Sequence, residues 1–184
     1  NPSIAALDPL GPIGADLSTF FGDAPVSPAA LRPEMMLPVA RPLVLPPEAC
    51  EYAPSIATRD ATLTRNLESM PAQAIRTIRK IAQAKPREDI TFIRTGDGSL
   101  SAVLREPSGN RQLASLHRPK AEAEALTRGV DVTASGATVC MGFALGYHVE
   151  AISRRYGQMG VVLAFEPDVG LLRSVLEHVD HSAW

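Results

Sequence analysis

The distribution of proline is the feature that most constrains how this chain can fold. Of its 16 prolines, 11 fall within residues 1–54, and each removes a backbone donor and favours an extended conformation in the residue before it. The pattern predicts a largely irregular, proline-rich tail or linker over residues 1–58 and a folded domain over residues 59–184. Apolar residues such as Leu45 leave a second interpretation open, in which the tail packs along its own domain or a partner.

The folded part begins with helical patterns over residues 60–84, where apolar residues such as Leu63 and Leu67 recur at spacings of three and four. Three short apolar runs separated by turn sequences follow over residues 90–116, and their alternation predicts a half-buried antiparallel β-meander. The sequence "RPKAEAEALTRGV" then predicts a helix with Pro119 in its first turn.

Two strand–helix units close the chain over residues 137–184. The runs "ATVCMGF" and "GVVLAFEP" are continuously apolar, which is typical of parallel strands covered on both faces. The predicted fold is therefore α/β: a Rossmann-like partial parallel sheet with helices, preceded by a helical segment and a small antiparallel meander. We expect the sheet to be truncated at residue 184. We also expect the edge of strand 161–165 to be bare, or covered by the proline-rich tail or a second chain.

The sequence "GFALGYH" joins the first of these strands to its helix, so small residues lie where the N–H groups of a helix amino terminus point. It differs from the G-x-G-x-x-G dinucleotide fingerprint. An acid ends the next strand, 24 residues after the first glycine, near the spacing at which a carboxylate accepts from ribose hydroxyls. These features predict a shallow crevice that binds a nucleotide or nucleotide-sugar. The alternative is a turn with a purely structural role. The candidate binding residues are Gly142, Ala144, Gly146, Tyr147, His148 and Glu166.

Composition excludes several classes of function. The net charge is −2 and no basic run is present, which argues against nucleic-acid binding. No apolar run reaches the roughly 18 residues of a membrane span, and no leader is visible, so we expect a cytoplasmic protein. We expect neither a disulfide nor a zinc site from Cys50 and Cys140. His178 and His181 flank Asp180, but this spacing does not define a metal site, and we identify no catalytic constellation.

Four segments together resemble the amino-terminal domain of the motility-associated factor (Maf) glycosyltransferases and their hydroxymethylpterin pyrophosphokinase-like relatives. These segments are "LTRNLESMPAQAIRTIR", "SLHRPKAEAEAL", "GFALGYHVEAI" and "LAFEPDVGLLRSVLEHVD", in that order over residues 60–184. The most specific pieces are the glycine turn with Tyr147 and His148, and the step from Glu166 to Asp168. Ala144 stands where the family's turn has its middle glycine.

The resemblance implies a parent enzyme that transfers a nonulosonic acid from a CMP-sugar to serine or threonine of flagellin. It implies that the transfer chemistry lies in a domain beyond this chain. The implied partners are flagellin or another protein acceptor and that downstream catalytic domain.

Two other classes remain open. An S-adenosylmethionine-dependent methyltransferase-like domain would use a glycine turn and a strand-end acid in the same way. A non-catalytic interaction module would bind no small ligand and would present a surface to the flagellin export machinery or to its own catalytic domain.

Overall fold

A computed structural model describes residues 43–183, which belong to one compact unit beginning at Pro38. The predictions for residues 1–42, most of the proline-rich tail, lie outside the described residues. The elements are β1 (Cys50–Glu51), α1 (Ile56–Ser69), a 3-10 turn (Ala72–Ala74), α2 (Ile75–Gln83), β2 (Ile90–Arg94), β3 (Leu100–Glu106), β4 (Gly109–Gln112), α3 (Pro119–Thr127), β5 (Ala137–Met141), α4 (Tyr147–Tyr156), β6 (Val161–Phe165) and α5 (Val169–His178).

An antiparallel sheet with the order β1-β2-β3-β4 confirms the predicted antiparallel meander over residues 90–116 and adds β1 to it. The expectation that the meander is half-buried is wrong at β3, where residues 100–104 are all buried because separate apolar clusters pack on both faces of the strand. The sequence placed β1 inside the irregular tail. Residues 48–53 lie between two prolines but contain none themselves, so their N–H groups can join a ladder. The Tyr52 N–H accordingly donates to the Phe92 carbonyl at 2.8 Å.

The first helix begins at Ile56, four residues before the predicted start of the helical pattern. The hydroxyl of Ser55 caps it by accepting from the Thr58 N–H at 3.2 Å. The apolar pattern missed this first turn because Ile56 is exposed and contributes nothing to the buried face of the helix.

Part of the predicted tail packs along its own domain, as the second interpretation expected. Leu43, Leu45 and Ala49 contact a small buried cluster on the antiparallel sheet, whereas Val44 between them is exposed. This alternation is that of an extended segment with one side on the protein. The cluster consists of Ile93, Val103 and Leu116.

Strands β5 and β6 pair in parallel, with Ala137 opposite Val161 and Met141 opposite Phe165, as predicted. The chain is therefore mixed α/β. Helix α4 covers one face of the pair, where Cys140 packs against three α4 residues. The expectation that both faces are covered is wrong for the described residues, because alternate side chains on the other face are exposed. A continuous apolar run does not reveal which of its faces has a partner.

The main core lies between the antiparallel sheet and α5, and it includes the start of α4. Leu145, two residues before α4, is 1% exposed in this core. The turn between β5 and α4 is therefore anchored near its carboxyl end. The core residues around it lie on β2, β3 and α5 and directly after α5: Phe92, Leu100, Ala102, Leu104, Leu171, Val175 and Val179. No helix within residues 43–183 has the length and apolar character that a bilayer span requires.

Candidate functional site

The backbone of residues 142–146 adopts a conformation that few side chains tolerate. Gly142, Ala144 and Gly146 have φ angles of 96°, 46° and 79°, in the region that L-residues other than glycine rarely enter. Ala144 is the one non-glycine with positive φ among the described residues, and such a conformation costs about 1–2 kcal/mol. The turn is held in this shape by its surroundings.

Gly146 is required for space as well as for its φ angle. A Cβ atom there would lie 2.7 Å from Cζ of Phe143 and 2.8 Å from Cε1 of His181. Gly142 differs, because a Cβ there would meet nothing within 4 Å. The turn is thus packed on the Gly146 side and open above Gly142.

Glu166 reaches across from the end of β6 to this turn. One carboxylate oxygen accepts from the Phe143 N–H at 3.0 Å and the other from the Asp168 N–H at 3.0 Å. The prediction that the carboxyl ends of the two strands converge, with Glu166 beside the turn, is confirmed. Because a carboxylate has about four acceptor sites, Glu166 can still accept from a ligand hydroxyl while it holds the loop.

The amino terminus of α4 carries backbone donors that the described protein groups leave unpaired. Within residues 43–183, no group accepts from the N–H groups of Tyr147 and His148, and Gly146 supplies no side-chain cap. Such first-turn donors, together with the helix dipole, favour an anion. The described part of the chain therefore offers donors at α4 and an acceptor at Glu166 on one turn.

The Tyr147 side chain does not contribute to this set. Its hydroxyl donates to the Leu100 carbonyl at 3.0 Å and accepts from the Leu100 N–H at 3.2 Å. Burial raises the pKa of this phenol. Tyr147 thus joins α4 to β3 through its side chain, and only its backbone N–H could serve a ligand.

His148 is the one predicted side chain besides Glu166 that contacts the turn. Its Nε2 lies 3.1 Å from the Gly142 carbonyl oxygen, and since a carbonyl only accepts, Nε2 carries the proton. His148 closes the turn against α4 and leaves one nitrogen for a ligand or water.

Arg87 is a cation beside the Glu166–Asp168 step that sequence analysis did not identify. It contacts Asp168 at 2.6 Å and also pairs with Asp89. Burial alone would raise the pKa of Asp168, but the Leu171 N–H and the Arg87 guanidinium together hold that pKa below its ordinary value. Asp168 also caps α5 through the Leu171 N–H. Nothing in the local sequence around Arg87 indicates this long-range pair.

The two carboxy-terminal histidines pack against aromatic side chains, with His181 buried and His178 half-buried. His178 stacks on Phe92 with ring centroids 3.9 Å apart, and His181 meets Phe143 edge-on at 5.5 Å. Burial lowers the pKa of both rings, that of His181 to about 4. Among the described residues, no group of three or more His, Cys, Asp or Glu side chains is arranged for a metal ion. Both cysteines are free thiols.

Small cavities flank the turn on two sides. One of about 190 Å³ is lined by Phe143 and His181, and one of about 50 Å³ by Ala144 and His148. Both volumes are below the roughly 300–1,000 Å³ usual for ligand pockets, so neither cavity holds a whole nucleotide. A larger concavity of about 440 Å³, between α3 and α4, shares no lining residue with the turn.

The described residues define a mixed α/β protein in which a parallel strand pair, beside a four-stranded antiparallel sheet, ends at a glycine turn braced by a glutamate. Comparisons of the chain with family models, with curated proteins and with solved structures each gave no match.

Proposed function

We propose that this chain is the Rossmann-like amino-terminal module of a Maf-type glycosyltransferase, and that its glycine turn binds part of a nucleotide-sugar. The observation that carries the proposal is the convergence of Glu166 with the positive-φ turn at the carboxyl ends of two parallel strands. Open α/β sheets bind ligands at this place. The transfer of a nonulosonic acid from a CMP-sugar to flagellin is assigned to a separate domain.

The charges at the turn suggest how such a ligand lies. A phosphate is favoured at the free N–H groups of Tyr147 and His148 and disfavoured beside the carboxylate of Glu166. Ribose hydroxyls have the opposite preference, because they donate to a carboxylate. The nucleotide would therefore place its sugar at Glu166 and its phosphate at α4. The open space above Gly142 lets the ligand approach the backbone.

The experiment is a titration of the ¹⁵N-labelled chain with CMP and, separately, with S-adenosylmethionine, followed by amide chemical shifts. We expect CMP to shift residues 142–148 and S-adenosylmethionine to leave them unchanged. Shifts with S-adenosylmethionine alone would favour the methyltransferase-like class instead. Unchanged spectra with both compounds at millimolar concentration would exclude a nucleotide site at this turn.

Glu166→Gln tests the proposed role of the carboxylate, because the amide offers one acceptor oxygen in place of two. We expect about 10-fold weaker CMP binding, the loss that follows from about 1.4 kcal/mol. Glu124→Gln on α3 is the matched control, since its exposed side chain makes no hydrogen bond within the described residues. Equal affinity of both variants would show that Glu166 only braces the loop.

A non-catalytic interaction module is the second candidate, and one observation favours it. The uncovered face of β5 and β6 presents a run of apolar side chains to solvent, as protein interaction surfaces do. This function requires no ligand at the turn, and it would be supported by a titration in which no nucleotide binds.

A further inference from the structure

One face of the parallel strand pair is apolar and has no cover among the described residues. We call it the open face: Val139 and Met141 on β5, and Val161, Leu163 and Phe165 on β6. Their exposed fractions are 61%, 76%, 55%, 56% and 56%. The parallel register sets Val139 beside Leu163 and Met141 beside Phe165, so the side chains form one continuous patch.

The open face is large for a surface that stays in water. Its five side chains leave about 600 Å² of apolar area exposed, if a fully exposed side chain of this size presents about 200 Å². That area is at the upper end of the largest apolar patch of an ordinary monomer, about 300–600 Å². Parallel strands are normally buried on both faces, and here α4 covers only the opposite face.

We propose that the open face is the interface of a symmetric dimer, in which two copies of this chain stack β5 and β6 face to face. Closed two-fold dimers use the same patch on both subunits, so the patch must suit itself. All strand positions of this face are uncharged and apolar, including Ala137 at its end. No like charges would therefore be brought together, and no charged group marks the face for a partner of opposite charge.

The size of the face also fits a second copy. Two such faces would together bury at most about 1,200 Å², a limit above the roughly 1,000 Å² expected of a specific interface and at the lower end of the standard range. Each strand has five residues and so extends about 17 Å, and stacked sheets lie about 10 Å apart. The dimer is expected to be weak and to dissociate at low concentration.

Sedimentation velocity of the whole 184-residue chain tests the proposal. We expect the 19.6 kDa monomer at low micromolar concentration and a species of twice that mass as the concentration approaches a few hundred micromolar. Leu163→Glu places a charge in the middle of the face and should raise the dissociation constant at least 10-fold. The matched control is Leu126→Glu on α3, where the leucine is 75% exposed outside the open face, and it should leave association unchanged.

Two further measurements keep the result decisive. Circular dichroism and thermal unfolding check that Leu163→Glu is folded, and Leu163→Thr replaces it if it is not. Intermolecular NOEs between methyl groups of Val139 and Leu163, in a mixture of labelled and unlabelled chains, should appear in the dimer. A chain that stays monomeric at 500 µM would overturn the proposal, and so would a dimer that Leu163→Glu leaves intact. Neither outcome bears on nucleotide binding, so this proposal and the proposed function fail separately.

Discussion

Glycine is needed in the turn at residues 142–146 for two reasons, a positive φ angle and close packing by neighbouring side chains. The glycine pattern in the sequence does not distinguish between them. Gly142 and Gly146 both have positive φ, but only Gly146 is also closely approached by other side chains. Ala144 meets the first demand at the cost of strain. A glycine pattern in a sequence therefore indicates backbone freedom without showing which glycine also provides room.

Paired substitutions separate these two demands. Gly142→Ala should lower the free energy of unfolding by about 1 kcal/mol, because only the backbone is strained. Gly146→Ala should lower it by about 1–3 kcal/mol more, since its Cβ would also overlap with Phe143 and His181. Urea denaturation of both variants measures the difference. Equal losses would show that the neighbouring rings move aside without cost.

At the residue scale, the sequence correctly predicted which residues meet at the carboxyl ends of the two parallel strands. Glu166 could be placed beside the turn because parallel strands bring their carboxyl ends together. The pair of Arg87 with Asp168 and the contact of His181 with Phe143 join distant parts of the chain. No spacing rule in the sequence relates such distant residues. These contacts could therefore be identified only from the packing of α5 in the structure.

At the scale of elements, helices α1 and α5 are joined by one buried amide. Asn66 is 2% exposed, and its Nδ2 donates to the carbonyls of Leu176 and Val179 at 2.7 and 2.8 Å. Its Oδ1 accepts from the His181 N–H at 2.7 Å. The carboxyl end of α5 leaves carbonyls without helical partners, and this side chain supplies two of the missing donors.

Asn66→Leu should therefore destabilise the protein by about 2–4 kcal/mol, because three hydrogen-bonding groups lose their partner in a buried site. Glu68→Leu is the matched control on the same helix and should change stability by less than about 0.5 kcal/mol, since Glu68 is exposed. Both values come from urea titration at neutral pH. A loss at Asn66 no larger than the control would mean that water replaces the amide.

The elements themselves were largely predictable, since apolar periodicity specifies which face is buried. The meander, the helix at Pro119 and the parallel pair lie where their patterns placed them. Strand β1 escaped prediction because two residues are too short for a period, and its position is set by pairing with β2. The open face was unpredictable for a different reason, namely that apolar strands have the same sequence whether or not a partner covers them.

The stability of the described part of the molecule depends on the packing of α5 and the residues after it against the rest of the fold. Two histidines in this region make that packing sensitive to acid. His181 is 7% exposed between α1 and the glycine turn, and His178 lies on the antiparallel sheet. Both rings have a lowered pKa because burial disfavours their charged form. Unfolding returns them to water, where a histidine has a pKa of about 6.5.

Stability should consequently fall as the pH decreases from about 6.5 to about 4, the folded-state pKa of His181. In this window the unfolded chain binds a proton that the folded chain does not, and the resulting loss for His181 amounts to about 3 kcal/mol. The pKa values of Asp89 and Asp168 are also lowered, but such carboxylates lose their contribution only below about pH 4. Urea denaturation at intervals between pH 4.5 and 7 measures the slope. His181→Gln should flatten the dependence of stability on pH. The control His117→Gln, at an exposed position, should leave that dependence unchanged. Identical slopes in all three proteins would show that His181 takes up its proton while the fold stays intact.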